Sequence, residues 1–252
     1  MTLSIESRGV ALVTGGGRGI GAATSRRLAA DGWTVCLTYA KDERSAAAVV
    51  SDIQVGGGRA RAVQADISDE AAVISAFAHA DDLGSLTALV ANAGIVGPVT
   101  RVDAMDARRV RKIFDVNVIG TILCCREAVI RMSRLRGGDG GSIVLISSAA
   151  SRLGSPGEYV DYAASKGAVD TLGVGLAKEV AGEGIRVNVV RPGIIDTDIH
   201  ASGGQSDRVQ RLGPTLPLGR AGTADEVASA VRWFLADGTY CTGALLDVAG
   251  AR

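Results

Sequence analysis

The 252-residue sequence has no surplus of either charge: 27 Lys and Arg stand against 27 Asp and Glu. A chain whose main partner is DNA, RNA or an anionic membrane shows a basic excess, so no nucleic acid and no membrane is expected as a partner. Histidine is scarce. The two, His79 and His200, lie far apart, and no His or Cys group has the spacing of a metal site, so no metal is expected. There are only four cysteines, Cys36, Cys124, Cys125 and Cys241, and no Cys-x-x-Cys pair. Adjacent Cys124 and Cys125 are poor partners for one another, which points to a reduced, cytoplasmic protein. The stretch Met1 to Gly9 is short and polar and lacks the apolar core of a secretion signal. No apolar run approaches the ~20 residues of a membrane span.

What is present suffices for a core. Hydrophobic residues make up 47% and charged residues 21%, an ordinary globular balance, and a chain of this length buries a substantial core without staples. Length alone allows one or two domains. Short apolar runs alternate with amphipathic stretches. The expected strands are Val10 to Thr14, Thr34 to Thr38, Ala60 to Gln64, Leu86 to Ala91, Ser142 to Ser147, Ile185 to Val190 and Ala244 to Val248. Continuous apolar runs of this kind suit strands covered on both faces, as in a parallel sheet. The expected helices are Gly19 to Ala30, Asp42 to Val55, Asp69 to Asp82, Asp106 to Leu135, Tyr159 to Gly182 and Ala224 to Leu235. This alternation predicts an α/β fold, a single doubly wound domain over 1–252 with about seven parallel strands and helices on both faces. Asp196 to Gly222 resists the pattern. It holds Gly203, Gly204, Pro214 and Pro217 and reads as a long loop, the kind that often works as a lid over a substrate.

The first strand runs into Thr14-Gly15-Gly16-Gly17-Arg18-Gly19-Ile20-Gly21, and a helical pattern follows. Glycines there allow positive φ and close approach of the backbone to a pyrophosphate, whose charge the helix N-terminus stabilises. A plain turn with flexible glycines is the simpler reading of the turn by itself. Two glycine patterns fit: Gly17, Gly19 and Ala22 as G-x-G-x-x-A, or Gly15, Gly19 and Gly21 as T-G-x-x-x-G-x-G. Further along, Tyr162-Ala163-Ala164-Ser165-Lys166 places a phenol and an ammonium at i and i+4, on one helix face. No other tyrosine has a lysine four residues on. An unperturbed phenol, with a pKa of about 10, is a poor base near neutrality, and a nearby cation favours its ionised form. The pair is therefore a candidate general acid/base.

Together these motifs resemble the short-chain dehydrogenase/reductase family. The likeness runs from Thr14–Gly21 through Asp66, Asn92-Ala93-Gly94, Asn117, Ser147-Ser148 and Tyr162 to Lys166, ending at Arg191-Pro192-Gly193 and Thr197. It implies a Rossmann domain with a seven-stranded sheet and a homotetramer or homodimer built on the long helices. It implies that Tyr162 moves the substrate proton, that Lys166 lowers the phenol pKa and holds the nicotinamide ribose, and that Ser148 binds the substrate oxygen. Asn117 would distort its helix and anchor a water of a proton relay. Two departures stand out. Ser148 precedes Tyr162 by fourteen residues where thirteen is usual, so the 151–161 loop carries one extra residue, and Ser147 is the weaker serine candidate. Ala91 also replaces the first Asn of the usual Asn-Asn-Ala-Gly, which is expected to cost some sheet stabilisation.

The resemblance implies a nicotinamide dinucleotide held by Gly15, Gly17, Arg18, Gly19, Ile20 and Gly21. Tyr39, Ala40 and Lys41 would follow at the second strand, and Asn92, Ala93 and Gly94 at the fourth. Asp66 and Ile67 would flank the adenine, with a plain cap of the helix near Asp69 as the alternative for Asp66. Pro192, Gly193, Ile195 and Thr197 would approach the carboxamide and diphosphate. Sites that prefer NAD place an acid at the end of the second strand. Leu37 to Lys41 has none, whereas Arg18 and Lys41 suit a 2′-phosphate, so NADP(H) is the expected cofactor and NAD(H) the lesser one. Asp42 and Glu43 would oppose a phosphate if they faced inward. The substrate is expected to be a small carbonyl or alcohol compound met by 94–102, 150–160 and 196–222. Of the charged residues there, Arg152, Arg208 and Arg211 read as solvated surface arginines rather than a basic pocket mouth. His200 reads as a polar loop residue. The competing function is a cofactor-binding regulator without significant turnover, which has no physical need of a tuned phenol.

Overall fold

The computed structural model describes residues 8–252 apart from the side chain of His200. The expectations for the first seven residues and for that imidazole lie outside the described residues. Seven strands form one parallel sheet in the order 3-2-1-4-5-6-7. They are β1 (Val10–Val13), β2 (Thr34–Tyr39), β3 (Arg59–Gln64), β4 (Leu86–Ala91), β5 (Gly141–Ile146), β6 (Ile185–Pro192) and β7 (Leu245–Val248). The interior strands carry apolar side chains on both faces. Leu12, Ile143 and Leu145 point into one layer of core, and Ala11, Val13 and Val144 into the other, as a period of two requires. Helices α1 (Gly19–Ala30) and α2 (Glu43–Val55) cover the second layer with α10 (Ala224–Ala236). Helices α3 (Glu70–Asp81), α5 (Thr121–Met132) and α7 (Val160–Val180) cover the first. At the edge, β3 alternates exposed Arg59 and Arg61 with inward Ala60 and Ala62, and the charges discourage edge-to-edge pairing.

The expected single helix from Asp106 to Leu135 is three pieces. α4 (Ala107–Phe114) passes into a wide π-helical turn, Asp115–Gly120, before α5 resumes. The helix ends at Met132 because Ser133 adopts ψ 123°, after which one 3₁₀ turn and Gly137 at φ +87° lead to β5. The 196–222 segment also differs from a plain loop. It contains α8 (Ile199–Ser202), α9 (Arg208–Leu212) and a 3₁₀ turn, with α6 (Ala150–Leu153) across the cleft mouth. Its neck is clasped by backbone bonds from Asp196 to Gly222 and from Gly222 to Ile194, both 2.9 Å. No described helix is long and apolar enough to cross a membrane.

All four cysteines are free, and three are buried. Burial pushes the Cys36 and Cys124 thiols up to about 12 and raises Cys125 as well. Thiolate is the reactive form, so native protein is expected to give up one thiol, Cys241, to an aromatic disulfide reagent, and all four after denaturation. Rapid labelling of a second native thiol would contradict this packing.

Candidate active site

The sheet order reverses between β1 and β4, and there the strand ends open a crevice, the place where doubly wound sheets bind ligands. Helices α2, α3, α4 and α10 each carry a side-chain cap at their N-terminus; α1, like α5, α6, α7 and α9, has none. Its first backbone donors face the glycine turn, open to an anion. The turn itself discriminates between the two glycine patterns. Gly15 and Gly19 lie at φ +62° and +50°, and a Cβ on Gly21 would sit 2.3 Å from the Gly15 carbonyl oxygen. Gly15 and Gly19 need their left-handed backbone and Gly21 its close approach, while Gly16 and Gly17 are crowded from outside the turn, by Leu37 at 2.6 Å and by Ala46 of α2 at 3.1 Å from an added Cβ. Asn92 ties this turn to the end of β4. Its Nδ2 donates to Thr14 O at 2.9 Å and Gly15 O at 3.2 Å, and its N–H and that of Ala93 donate to Thr14 Oγ1. A cradle whose shape a methyl group would destroy, under an uncapped helix, fits a dinucleotide pyrophosphate.

The cleft beyond the turn is lined by Ile20, Asn92, Gly94, Ser148, Tyr162, Lys166, Pro192, Gly193, Ile195 and Thr197. The structure therefore brings these expected residues together. Lys166 is buried, donates from Nζ to Ile146 O at 2.8 Å and lies 5.8 Å from the centre of the Tyr162 ring. Burial holds its ammonium down to about 8, partly opposed by Asp170 one turn later. Burial likewise raises the Tyr162 phenol, and a hydrogen bond with Ser148 offsets part of the rise. The depression of the phenol pKa expected from Lys166 is not seen here: burial raises it, and Ser148 rather than Lys166 supplies the opposing effect.

Ser147 and Ser148 divide their work. Ser147 Oγ is buried and donates to Lys166 O at 3.0 Å, fixing α7 to the end of β5. Ser148 remains at the cleft beside Tyr162. The extra residue does not part them: the chain absorbs it in a tight turn in which Gly154, Ser155 and Gly157 all have positive φ. Asn117 sits in the π-helical turn and is wholly buried. Its amide accepts from Ile95 N at 2.8 Å and donates to Ile95 O at 2.9 Å and to Ser165 Oγ at 3.0 Å. A widened turn is what lets that side chain reach the loop after β4.

Other expectations fall differently. Asp66 accepts from Ser68 N and Oγ, a local turn, and Asp69 rather than Asp66 caps α3. Ile67 is packed in the core. Arg18 is half exposed and lies 3.7 Å from Asp42, which also caps α2; the Ser45 hydrogen bonds hold the Asp42 carboxyl below its usual range. Arg208 is no solvated arginine: it is 5% exposed and grips Glu158 through two bonds of 3.0 and 2.6 Å. Sequence reasoning missed Ser165, whose Oγ donates to Tyr162 O at 2.7 Å and so links Asn117 to the phenol's own residue. It also missed Asp161, which accepts from Tyr162 N and forms a buried pair with Arg109 at 2.7 Å. Only their place beside Tyr162 in the sequence pointed to either.

Residues 9–207 match the family described as short chain dehydrogenase. The chain belongs to the short-chain dehydrogenase family. It is 52% identical over 245 residues to the oxidoreductase YgfF of Escherichia coli (strain K12), spanning 96% of this chain and 99% of that one. A short-chain dehydrogenase from Burkholderia cenocepacia J2315, solved in complex with NADP, superposes with a TM-score of 0.87 at 36% identity, covering 98% of both chains. A blue fluorescent protein from a metagenomic library, solved with NADPH, has a TM-score of 0.87 at 37% identity, covering 98% of this chain and 99% of that one. The short-chain dehydrogenase described here is thus an NAD(P)-dependent oxidoreductase with the family's seven-stranded parallel sheet.

Proposed function

We propose that the protein interconverts a secondary alcohol and a carbonyl, preferring NADP(H) over NAD(H). The observation that carries this reading is the meeting of Tyr162, Ser148 and buried Lys166 in the cleft that continues from the glycine cradle. When bound, the nicotinamide supplies or accepts the hydride. Tyr162 passes its proton to the carbonyl oxygen in reduction and recovers it in oxidation, while Ser148 holds that oxygen. Lys166 spends one N–H on Ile146 O and keeps two donors for the ribose hydroxyls. Asn117 is a positioning residue. Its amide is committed to Ile95 and Ser165, so a relay water would have to share its backbone carbonyl with Thr121 Oγ1, which donates to it at 2.9 Å. Residues 196–222, with their two short helices, close over the substrate. The regulator alternative gives Lys166 a ribose to hold but leaves Tyr162 and Ser148 at the cleft without a purpose.

The preference for NADP(H) rests on Arg18 at the turn and on the absence of an acid at the end of β2; Asp42 faces Arg18 and moderates it. Exposed Ile119, Ile122 and Ile130 on and just before α5 support a homodimer or homotetramer, and the free cysteines suit the cytoplasm. A panel of ketones and secondary alcohols, followed by nicotinamide absorbance, tests the reading. NADPH is expected to exceed NADH about tenfold or more in kcat/KM, the scale of one charge-assisted contact, and Arg18→Ala should erase most of that margin. A clear advantage for NADH would refute the preference.

A further inference from the structure

Asp170 is a buried acid that the chemistry above leaves unused. It sits on α7 one turn after Lys166, at the i, i+4 spacing that puts two side chains on one helix face. Gly173, about a turn further, packs so closely on β6 that a Cβ there would stand 2.2 Å from Val189 Cγ2. Val187 and Val189 point from β6 into the core layer beneath α7, and the period of two brings Arg191 to the same face. Arg191 meets Asp170 Oδ2 with Nε and Nη2, both at 3.0 Å, and lies 3.7 Å from Asp247, its register partner on β7. The other oxygen, Oδ1, is buried and meets no hydrogen-bond donor among the described residues. A buried carboxylate with one oxygen unbonded is costly unless a second cation stands near it. Lys166 is that cation. The remaining charged or titratable groups around Lys166 are differently engaged. Tyr162 is the reacting phenol, Asp161 is taken by Arg109, Arg208 by Glu158, and Arg252, the last residue, brings its own α-carboxylate. Asp170 is thus the acid that opposes the burial of the Lys166 ammonium.

We propose that Asp170 is a positioning residue of the reaction: its carboxylate, shared between Arg191 and Lys166, is the counter-ion that keeps Lys166 charged at the cleft. The inference rests on the oxidoreductase reading of that cleft. The reading needs the charge as well as the donors of Lys166. A neutral amine still donates hydrogen bonds, but it does little for the negative charge that grows on Tyr162 as the phenol gives up its proton. Burial raises the phenol and lowers the ammonium, so Lys166 is the first of the two to lose its proton as pH rises. One negative charge divided between two cations has a consequence that a brace between α7 and β6 lacks. Removing the acid takes charge support from Lys166, whereas removing the arginine leaves Lys166 the whole carboxylate. A brace is broken equally by either.

The test follows the pH dependence of ketone reduction, with kcat/KM for NADPH reporting the groups of the free protein. Its alkaline fall is expected to move about one pH unit lower in Asp170→Asn, whose amide keeps the shape of the carboxylate, and to return part of the way in Asp170→Glu. In Arg191→Gln it should move to higher pH. Thermal unfolding gives a readout independent of turnover. At pH 6, Lys166→Met should raise the Tm more in the Asp170→Asn background than in wild type, because a buried ammonium without its counter-ion destabilises the fold further. An alkaline fall unmoved by Asp170→Asn or not raised by Arg191→Gln, or equal Tm gains in the two backgrounds, would overturn the counter-ion while leaving the oxidoreductase standing. If Asp170→Asn does not fold, the Arg191→Gln profile decides alone: a rise upholds the counter-ion, and a fall or no change makes Asp170 a brace. A larger Tm gain in Asp170→Asn without turnover of any carbonyl compound would uphold the counter-ion and overturn the oxidoreductase reading.

Discussion

Tyr162→Phe is expected to lower kcat/KM by about 10²–10⁴, the usual contribution of a positioned general acid/base, with the fold and cofactor binding intact. The ring stays, so the packing of α7 against β5 and the buried Lys166 lose nothing in volume. Only the phenol oxygen goes, and with it the proton donor beside Ser148. The pH profile carries a second expectation. Desolvation raises the phenol above its ordinary value in the protein alone. A bound cation near the ring acts in the opposite direction, as a nearby opposite charge does for any anion. In the oxidative direction, where the phenolate is the base, the acid-side fall in rate seen in kcat/KM for the cofactor should therefore move to lower pH in kcat, which reports the ternary complex. A mutant that keeps wild-type turnover would remove Tyr162 from the chemistry, and the assignment of Ser148 would fall with it.

Much of the scaffold could be read from the chain because the relevant signals are local. Ala88–Ala91 and Ile143–Ile146 are apolar at every position, a pattern that suits strands covered on both faces. Asp42, Asp69 and Asp106 announce their helices by capping them. The break at Asp115–Gly120 left no comparable mark. Asp115-Val116-Asn117-Val118-Ile119-Gly120 continues a helical pattern, and what widens the turn is a tertiary demand. Asn117 must reach Ile95 and Ser165, while Gly120 must approach the Ile67 carbonyl so closely that a Cβ would stand 2.5 Å from it.

The site divides in the same way. Glycines and the Tyr162/Lys166 spacing are short-range facts and were legible. The partners of charged residues are long-range facts. Arg208 and Glu158 are fifty residues apart, Arg109 and Asp161 fifty-two. Nothing local separates a buried arginine from a solvated one, so Arg208 looked like surface until its carboxylate was located. The extra residue between Ser148 and Tyr162 posed the opposite problem. It is obvious in the sequence, yet its consequence depends on whether the loop can absorb it. The left-handed backbone at Gly154, Ser155 and Gly157 does so, with Ser155 as the strained member because a side chain resists φ +44°.

Lys166→Met is expected to make the protein more stable and much less active. A buried ammonium held down to about 8 from 10.5 pays for its charge throughout neutral pH. At about 1.4 kcal/mol per unit, a shift of this size represents a destabilisation of about 3 kcal/mol as an upper bound. Methionine fills a similar volume without charge. It leaves Ile146 O without its donor, which returns about 1 kcal/mol, so a net gain of about 1–2 kcal/mol is expected at pH 7. For a chain of this size that is a rise of a few degrees in Tm. The pH dependence fixes the cause. Because the folded pKa lies below the unfolded one, the unfolded chain binds more protons between pH 8 and 10.5, and wild-type stability climbs through that window. The advantage of the variant should be full below pH 8 and gone above 10.5. Activity should fall about a hundredfold or more, since the donors proposed for the ribose and the charge beside the phenol disappear together. Such an opposition between stability and turnover is the mark of a charge kept for chemistry. A variant less stable than wild type at pH 7, or one as active, would mean that Lys166 is a structural residue.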